Sequence, residues 1–173
     1  MTREGDRLSF TRSEGGLATG LGSLQIPYEK HWIGWPGICT DDPQERKTIG
    51  SELRRMHFHP VFLSEAEIEN YYEGYSNSTI WPLCHYFYTL YKSRFWEAYR
   101  EVNRRFCEEI CRVVEPGDRV WVQDYHLMLL PGMLREAMPD LCIGYFHHIP
   151  FPSYELFRIL PERARLLRGL LGA

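Results

Sequence analysis

The stretch from Arg119 to Phe146, RVWVQDYHLMLLPGMLREAMPDLCIGYF, carries the pattern that decides the fold. Its two ends, Arg119 to Gln123 and Cys142 to Phe146, are short runs rich in β-branched and aromatic residues, as buried strands are. Between them, Leu127 to Ala137 has a helical pattern, which Pro139 ends. Strand, helix and strand with short connections form a right-handed βαβ unit of a parallel sheet. We therefore predict an α/β fold with a doubly wound parallel sheet.

Strand patterns also precede this unit. His31 to Trp35 (HWIGW) predicts a short strand, and Met56 to Leu63 (MHFHPVFL) predicts another, although Pro60 weakens it because proline cannot donate to a neighbouring strand. The polar stretch Thr40 to Lys47 (TDDPQERK) has the composition of an exposed loop.

Two helices are predicted between these strands and the βαβ unit. Ser64 opens the capping-box sequence SEAE, which predicts a helix that runs to about Tyr72. From Ser93 to Val114, apolar residues recur at the spacing of one helical face, and the sequence EPGD then ends the helix. From Ser153 the chain is again predicted to be helical, in two short pieces.

Composition restricts the class of protein. The chain has 173 residues and a net charge of −3, so it has no electrostatic footprint for nucleic acid or an anionic membrane. We find no apolar run long enough to span a bilayer and no signal-peptide pattern. The five cysteines form no Cys-x-x-Cys pair, which argues for reduced thiols in a cytoplasmic protein and against a zinc site.

The ends of the two buried strands carry candidate ligand-binding residues. Asp124 and His126 follow the first strand, and His147 and His148 follow the second. Ligands of such sheets bind beyond the carboxyl ends of the strands, so an acid and an imidazole are expected in one crevice. Asp124 suits paired sugar hydroxyls, although it is also placed to cap the next helix. His126 is expected to pack locally, and one of the two adjacent histidines should be buried because strand side chains alternate.

Glycines and aromatic residues supply further candidates. Gly15-Gly16 lets a ligand approach the backbone, and a helix starting at Leu17 would direct its free N–H groups to a diphosphate. On the dipeptide alone, a turn with a helix cap is the simpler interpretation. Tyr72 and Trp81 suit a sugar site because their rings cover apolar sugar faces and their polar atoms form hydrogen bonds, although on spacing alone core packing is the simpler interpretation.

Five longer strings together resemble the trehalose-6-phosphate synthases, the family-20 retaining glycosyltransferases. These strings are SEGGLATGLGSL, HWIGWPG, YYEGYSNSTIWPLCHY, WVQDYHLMLLPGMLRE and IGYFHHIPFPSYELFRILP, and they cover nearly the whole chain in the family's order. The resemblance implies a GT-B enzyme of two Rossmann-like domains with the active site between them. It also implies metal-independent transfer of glucose from UDP-glucose to glucose-6-phosphate, without a cofactor.

The resemblance also implies roles for single residues. Gly15 and Gly16 match the glycine pair that contacts the donor, and His148 matches the histidine near the donor glucose and its departing phosphate. His148 is therefore the candidate catalytic residue. The residues that match acceptor-binding positions are Tyr72, Trp81, Asp124 and, more weakly, Trp35.

Two departures from the family pattern lead to an expectation about this chain. The family's first strand, with its phosphate-binding Arg, and its C-terminal donor-binding domain have no counterpart in residues 1–173. We therefore expect an incomplete N-terminal domain that lacks useful synthase activity alone, because no basic pair neutralises the departing UDP. We also hypothesise that the isolated chain is marginally stable or associates through the gap left by the missing first strand, and the sequence leaves open whether a trehalose-phosphatase domain follows.

The same sequence features bear on three other functions. A non-catalytic sugar-phosphate-binding or regulatory module is the first of them. A nucleotide-dependent oxidoreductase is disfavoured because the chain lacks the glycine pattern G-x-G-x-x-G. Another nucleotide-sugar transferase on the same fold is disfavoured by the acceptor-side motifs, since fold alone does not determine function.

Overall fold

The computed structural model describes residues 2–4, 7–9, 16–23 and 25–173. The chain divides into two compact units, Met1–Phe62 and Leu63–Ala173, and each is described by itself. Both contain a parallel pair of strands, which confirms the predicted α/β class. None of the helices in the described ranges is long and apolar enough to cross a membrane.

The first unit opens with an antiparallel hairpin of strands β1 (Thr2–Glu4) and β2 (Arg7–Ser9), which the sequence patterns did not predict. Helix α1 (Gly16–Ser23) follows. Strands β3 (Trp32–Gly34) and β4 (Phe58–Pro60) then pair in parallel.

Helix α2 (Pro43–Arg55) joins β3 to β4 and shows that the predicted loop over Thr40 to Lys47 was partly wrong. The carboxylate of Asp42 caps this helix by accepting the backbone N–H of Gln44 at 2.9 Å. Proline is favourable in the first helical turn, where its missing N–H costs nothing. The polar composition thus marks the solvent-facing start of a helix.

Both predicted strands of this unit exist, but each is shorter than its apolar run. Pro60 is compatible with β4 because it is the last residue of the strand, opposite Gly34. The next residue, Val61, donates its N–H to the carbonyl of Gly34 at 2.8 Å and continues the ladder by one bond. Pro60 can therefore end the strand, because the carbonyl of Gly34 opposite it still accepts a hydrogen bond from the next residue.

The second unit begins with three helical segments that continue one another: α3 (Glu65–Glu67), a π-helix (Ile68–Ile80) and α4 (Trp81–Cys84). The predicted capping box at Ser64 is confirmed, since Ser64 and Glu67 bond reciprocally at 2.8 and 3.2 Å. The predicted end at Tyr72 is wrong. Gly74 disfavours an ordinary helix. A larger residue would be crowded at this position, because a Cβ atom would lie 2.6 Å from the Phe95 ring.

Helix α5 (Ser93–Val113) confirms the predicted amphipathic helix. Its buried face packs on the π-helix and on the segment after the next strand, and contains Phe95, Trp96, Tyr99, Val102, Phe106 and Ile110. Arg105 on this helix pairs with Glu67 at 2.6 Å and holds the pKa of that carboxyl below its usual value against the opposing effect of burial. This helix forms the centre of the second unit.

The βαβ unit predicted from the opening stretch is confirmed, with both strands at their predicted bounds and a helix that begins three residues later than predicted. Strands β5 (Arg119–Gln123) and β6 (Cys142–Phe146) pair in parallel over all five residues. A 3-10 turn (Tyr125–Leu127) and helix α6 (Leu130–Ala137) connect them.

Two short helices, α7 (Tyr154–Phe157) and α8 (Arg163–Leu170), complete this unit. Helix α8 lies so close to α6 that a Cβ atom at Gly132 would be 2.9 Å from the Cα atom of Gly169. The five cysteines of the chain are free thiols.

Tyr99 fixes the segment that follows β5. Its hydroxyl donates to the carbonyl of Tyr125 at 2.6 Å and accepts the N–H of Met128 at 3.0 Å, and its side chain is fully buried. We predict that Tyr99→Phe lowers the free energy of unfolding by about 1–3 kcal/mol, because both backbone groups lose their partner. Denaturant titration measures this change.

Tyr88→Phe is the matched control, since Tyr88 is exposed and its loss should change stability by no more than about 0.5 kcal/mol. Equal unfolding free energies for the two variants would contradict the role given to Tyr99.

Candidate functional site

Asp124 lies directly beyond the paired ends of β5 and β6. Its N–H donates to the carbonyl of Phe146 at 2.7 Å, so the ladder extends by one bond past the strands. Its backbone has φ 71° and ψ 171°, a region that residues with a side chain rarely occupy. Such strain persists only where surrounding bonds hold it, and it is concentrated at functional sites.

The carboxylate of Asp124 joins the two strand ends. Its Oδ1 accepts the backbone N–H of Tyr125 at 2.9 Å and that of His148 at 3.2 Å. The first bond confirms that Asp124 caps the following turn, and the second links it to the loop after β6. Oδ1 accepts both of these backbone hydrogen bonds, and neither of them uses Oδ2. The two predicted roles of Asp124, as a cap and as a ligand contact, are therefore compatible.

The two adjacent histidines differ in exposure in the predicted sense, but neither is fully buried. His148 is exposed, and its Nε2 lies 2.9 Å from Oε1 of Gln123, the last residue of β5. His147 is half-buried and its Nδ1 lies 2.8 Å from the hydroxyl of Tyr145. Burial lowers the pKa of His147, an effect the carboxylate of Asp124 opposes. His148 is thus the imidazole at the strand ends.

The π-helix borders the same strand ends. The ring of Tyr72 stacks on the ring of His126 with centroids 5.3 Å apart and an interplanar angle of 12°. The hydroxyl of Tyr125 donates to Oδ1 of Asn77 at 3.0 Å. Tyr72 remains 42% exposed, so one side of its ring is open to a ligand. His126 packs locally, as predicted.

Trp81 lies on the short helix α4 at the border of this region. Its ring stacks on His85 at 4.0 Å and remains 38% exposed. Cys84, one turn further along α4, is buried beside Asp124; burial raises the pKa of the thiol to about 12, and the Asp124 carboxylate adds to the effect. Helix α4 therefore passes the acid at Cys84, and Trp81 lies three residues earlier on the same helix.

The remaining predicted residues lie in the first unit. Trp35 follows the carboxyl end of β3, is partly exposed and donates its indole N–H to the carbonyl of Ile38 at 3.1 Å. Gly16 is the first residue of α1, so a helix does begin at the glycine pair, whereas Gly15 lies outside the described residues. Asp124, His148, Tyr72 and Trp81 are the candidates that the second unit holds in one region.

Two residues of this region were missed by the sequence analysis. Gln123 holds the ring of His148, and Asn77 holds the hydroxyl of Tyr125. Gln123 was detectable, because it is the last residue of a strand whose carboxyl end faces the crevice. No sequence signal identified Asn77, because its position depends on the π-helix.

Comparison with known proteins decides the family. The family model described as glycosyltransferase family 20 matches residues 2–173. The chain belongs to glycosyltransferase family 20. It is 49% identical over 167 residues to a trehalose-6-phosphate synthase of Mycolicibacterium gilvum, which covers 95% of the chain and 33% of that protein. It is 42% identical over 174 residues to an alpha,alpha-trehalose-phosphate synthase (UDP-forming) of Pichia angusta, covering 96% and 36%.

Solved structures agree with this membership of family 20. An alpha,alpha-trehalose-phosphate synthase (UDP-forming) of Burkholderia xenovorans in complex with glucose-6-phosphate matches with a TM-score of 0.76 and 28% identity over 92% of the chain and 36% of that protein. The trehalose-6-phosphate phosphatase N-terminal domain of Candida albicans matches with a TM-score of 0.80 and 32% identity over 96% and 36%. The chain spans about a third of the length of these curated relatives.

His126 provides a test of the electrostatics of the site. Burial lowers the pKa of its imidazole from 6.5 to about 4, against an opposing effect of the Asp124 carboxylate. Between these two pH values the unfolded chain binds a proton that the folded chain does not, so stability is predicted to fall as pH decreases from 6.5 to about 4. An NMR titration of the ring should have its midpoint near the lower value.

His126→Gln should make the decline of the unfolding free energy over this pH window shallower. A midpoint for His126 near the ordinary histidine value would show that the ring is solvated.

Proposed function

We propose that this chain provides the glucose-6-phosphate-binding part of a UDP-forming alpha,alpha-trehalose-phosphate synthase, which transfers glucose from UDP-glucose with retention. The observation that carries this proposal is the position of Asp124. It directly follows β5 and is hydrogen-bonded to Phe146 at the end of β6 and to His148 beyond it. The ring of Tyr72 stacks on the nearby His126, and Trp81 lies partly exposed on α4, the helix whose Cys84 is buried beside Asp124. A carboxylate beside exposed aromatic rings is the chemistry that a sugar requires.

Asp124 binds the acceptor in this proposal. Its Oδ1 is held by backbone N–H groups of Tyr125 and His148, which orients the carboxylate before the sugar arrives. A carboxylate that is already oriented loses little entropy on binding paired hydroxyls. Tyr72 covers one sugar face, and Trp81 lines the rim. Trp35, from the first unit, is proposed as a further acceptor contact.

His148 and the glycine pair act on the donor. The contact between His148 Nε2 and the Gln123 amide oxygen fixes the direction of the exposed imidazole. A ring held in this way is suited to donate to the donor glucose or to its departing phosphate. Gly16 begins α1, and the first N–H groups of a helix favour an anion such as a diphosphate. Gly15 and Gly16 are therefore proposed to contact UDP-glucose.

The proposed reaction proceeds on one face of the sugar. The departing phosphate of UDP accepts the proton of the attacking acceptor hydroxyl as the new glycosidic bond forms, so no enzyme nucleophile and no metal ion are required. Holding the two substrates in this geometry supplies much of the rate. The intact enzyme is proposed to have the two-domain GT-B arrangement and to act in the cytoplasm.

A second candidate function is a sugar-phosphate-binding module without transfer activity. The observation that favours it is the similarity to the N-terminal domain of a trehalose-6-phosphate phosphatase of Candida albicans, at a TM-score of 0.80. Such a module would keep the acceptor-binding residues around Asp124 and would not need the donor contacts at His148. Donor binding therefore distinguishes the two functions.

We predict that the 173-residue chain binds glucose-6-phosphate with a dissociation constant on the order of 1 mM, measured by NMR chemical-shift changes around Asp124. Asp124→Ala should weaken this binding about 10- to 100-fold, because a hydrogen-bonding charge is lost. Asp124→Asn keeps an oxygen for the two backbone N–H groups and should show a smaller loss.

Asp140→Ala is the matched control, because it removes an exposed aspartate from the turn between α6 and β6. If both alanine variants bind glucose-6-phosphate as the unchanged chain does, Asp124 is not an acceptor ligand.

Donor binding gives a separate prediction. UDP-glucose should shift the NMR signals of His148, whereas a module that binds only sugar phosphates should show no such change. The 173-residue chain, which spans about a third of the length of its curated relatives, is expected to release no UDP from UDP-glucose and glucose-6-phosphate in a coupled assay. Robust UDP release would refute this expectation of inactivity.

A further inference from the structure

Four side chains converge at the amino ends of β3 and β4, the edge of this strand pair opposite to the one that Trp35 follows. His31 and His57 each directly precede their strand, and the register pairs the next residues, Trp32 and Phe58. The N–H of Trp32 donates to the carbonyl of His57 at 2.8 Å, so the two histidine backbones are neighbours. Glu29 lies two residues before His31 in the sequence, and His59 lies two residues after His57.

The side chains of this cluster meet at ligand distance. Nδ1 of His57 lies 2.8 Å from Oε1 of Glu29, and Nε2 of His31 lies 3.7 Å from Oε2 of the same carboxylate. One ligand atom from each of Glu29, His31 and His57 lies within 4.8 Å of the others. In a tetrahedral zinc site the ligand atoms are about 3.3 Å apart, so small rotations bring these groups to coordination distance.

We propose that Glu29, His31 and His57 form a binding site for a divalent transition-metal ion, with Zn²⁺ as the best match. Two imidazole nitrogens and a carboxylate form a donor set that zinc accepts, and the three residues are exposed, so water completes the coordination. Each carboxylate oxygen faces an imidazole nitrogen, an arrangement that needs a proton or a cation between the two atoms.

His59 acts behind the first coordination sphere. Its Nε2 lies 2.8 Å from Nδ1 of His31, and the two rings stack with centroids 5.1 Å apart. If Nδ1 of His31 donates this hydrogen bond, its Nε2 keeps a lone pair that is directed at the metal. Histidine ligands are commonly oriented in this way through their second nitrogen. His59 is therefore a positioning residue and not a ligand.

The backbone of His57 supports a specific role for its ring. His57 has φ 59°, a left-handed conformation that residues with a side chain rarely adopt. Its N–H donates to the carbonyl of Arg54 at 3.0 Å and closes the end of α2. Glycine would fit this turn without strain, whereas histidine places an imidazole against Glu29.

Zinc titration of the 173-residue chain tests the site. With all cysteines kept reduced and a chromogenic chelator as competitor, we expect one Zn²⁺ ion per chain. His31→Ala, His57→Ala and Glu29→Gln should each weaken binding by more than about 100-fold, since each removes a ligand. His59→Gln should weaken it by about 10- to 100-fold, as for an outer-sphere partner.

Co²⁺ serves as the spectroscopic probe because the free cysteines also bind soft metals. Tetrahedral Co²⁺ with nitrogen and oxygen ligands should give visible absorption without a thiolate charge-transfer band. A strong thiolate band that survives in His31→Ala would assign the bound metal to cysteine and overturn the proposal. The absence of Zn²⁺ binding at millimolar metal would also overturn the proposal. The cluster would then consist only of hydrogen-bonded histidines and an ion pair.

Matched variants control for charge and for histidine content. Glu52→Gln removes a partly exposed carboxylate on α2 of the same unit, and His85→Gln removes a histidine of the second unit; both should bind Zn²⁺ as the unchanged chain does. Circular dichroism of each variant reports whether it remains folded. Equal loss of binding in control and site variants would refute the assignment, and none of these readouts depends on sugar binding.

Discussion

The pairing of β5 with β6 is the constraint on which the second unit depends. Its parallel register ends both strands at the same edge, and one further bond, from Asp124 N–H to Phe146 carbonyl, carries the ladder past the strands. This bond holds Asp124 in a backbone conformation that it would otherwise rarely adopt. The carboxylate is thereby directed back across the strand ends to the N–H of His148.

Burial around this edge keeps positive charge away from the acid. The neighbouring imidazoles of His126 and His147 have lowered pKa values because burial penalises their charged forms. Tyr125 and Tyr145, which also lie near Asp124, have raised pKa values, chiefly through burial, and stay neutral. Asp124 is therefore a carboxylate among neutral rings, a setting that strengthens its hydrogen bonds to uncharged hydroxyls.

Periodicity and the rule for strand ends predicted the parts of the structure that depend on local sequence. The βαβ unit, helix α5 and the positions of Asp124 and His148 follow from apolar patterns and from the edge at which parallel strands end. Composition failed at α2, where polar residues form the solvent face and the cap of a helix. The cluster of Glu29, His31 and His57 escaped detection because its members join only when β3 and β4 pair, 26 residues apart in register. Gly15 lies outside the described residues, so the predicted diphosphate contact there remains a prediction.

The π-helix has a further consequence for the aromatic rim. Tyr72 and Trp81 are nine positions apart, a separation that in an α-helix of about 3.6 residues per turn equals two and a half turns and places side chains on opposite sides. Widening the ladder to i→i+5 gives roughly 4.4 residues per turn, so the same separation completes about two turns. The two rings therefore lie on the same side of the helical segment, and both are partly exposed. A single-residue deletion between them would rotate one ring away from the other while leaving every side chain of the rim present.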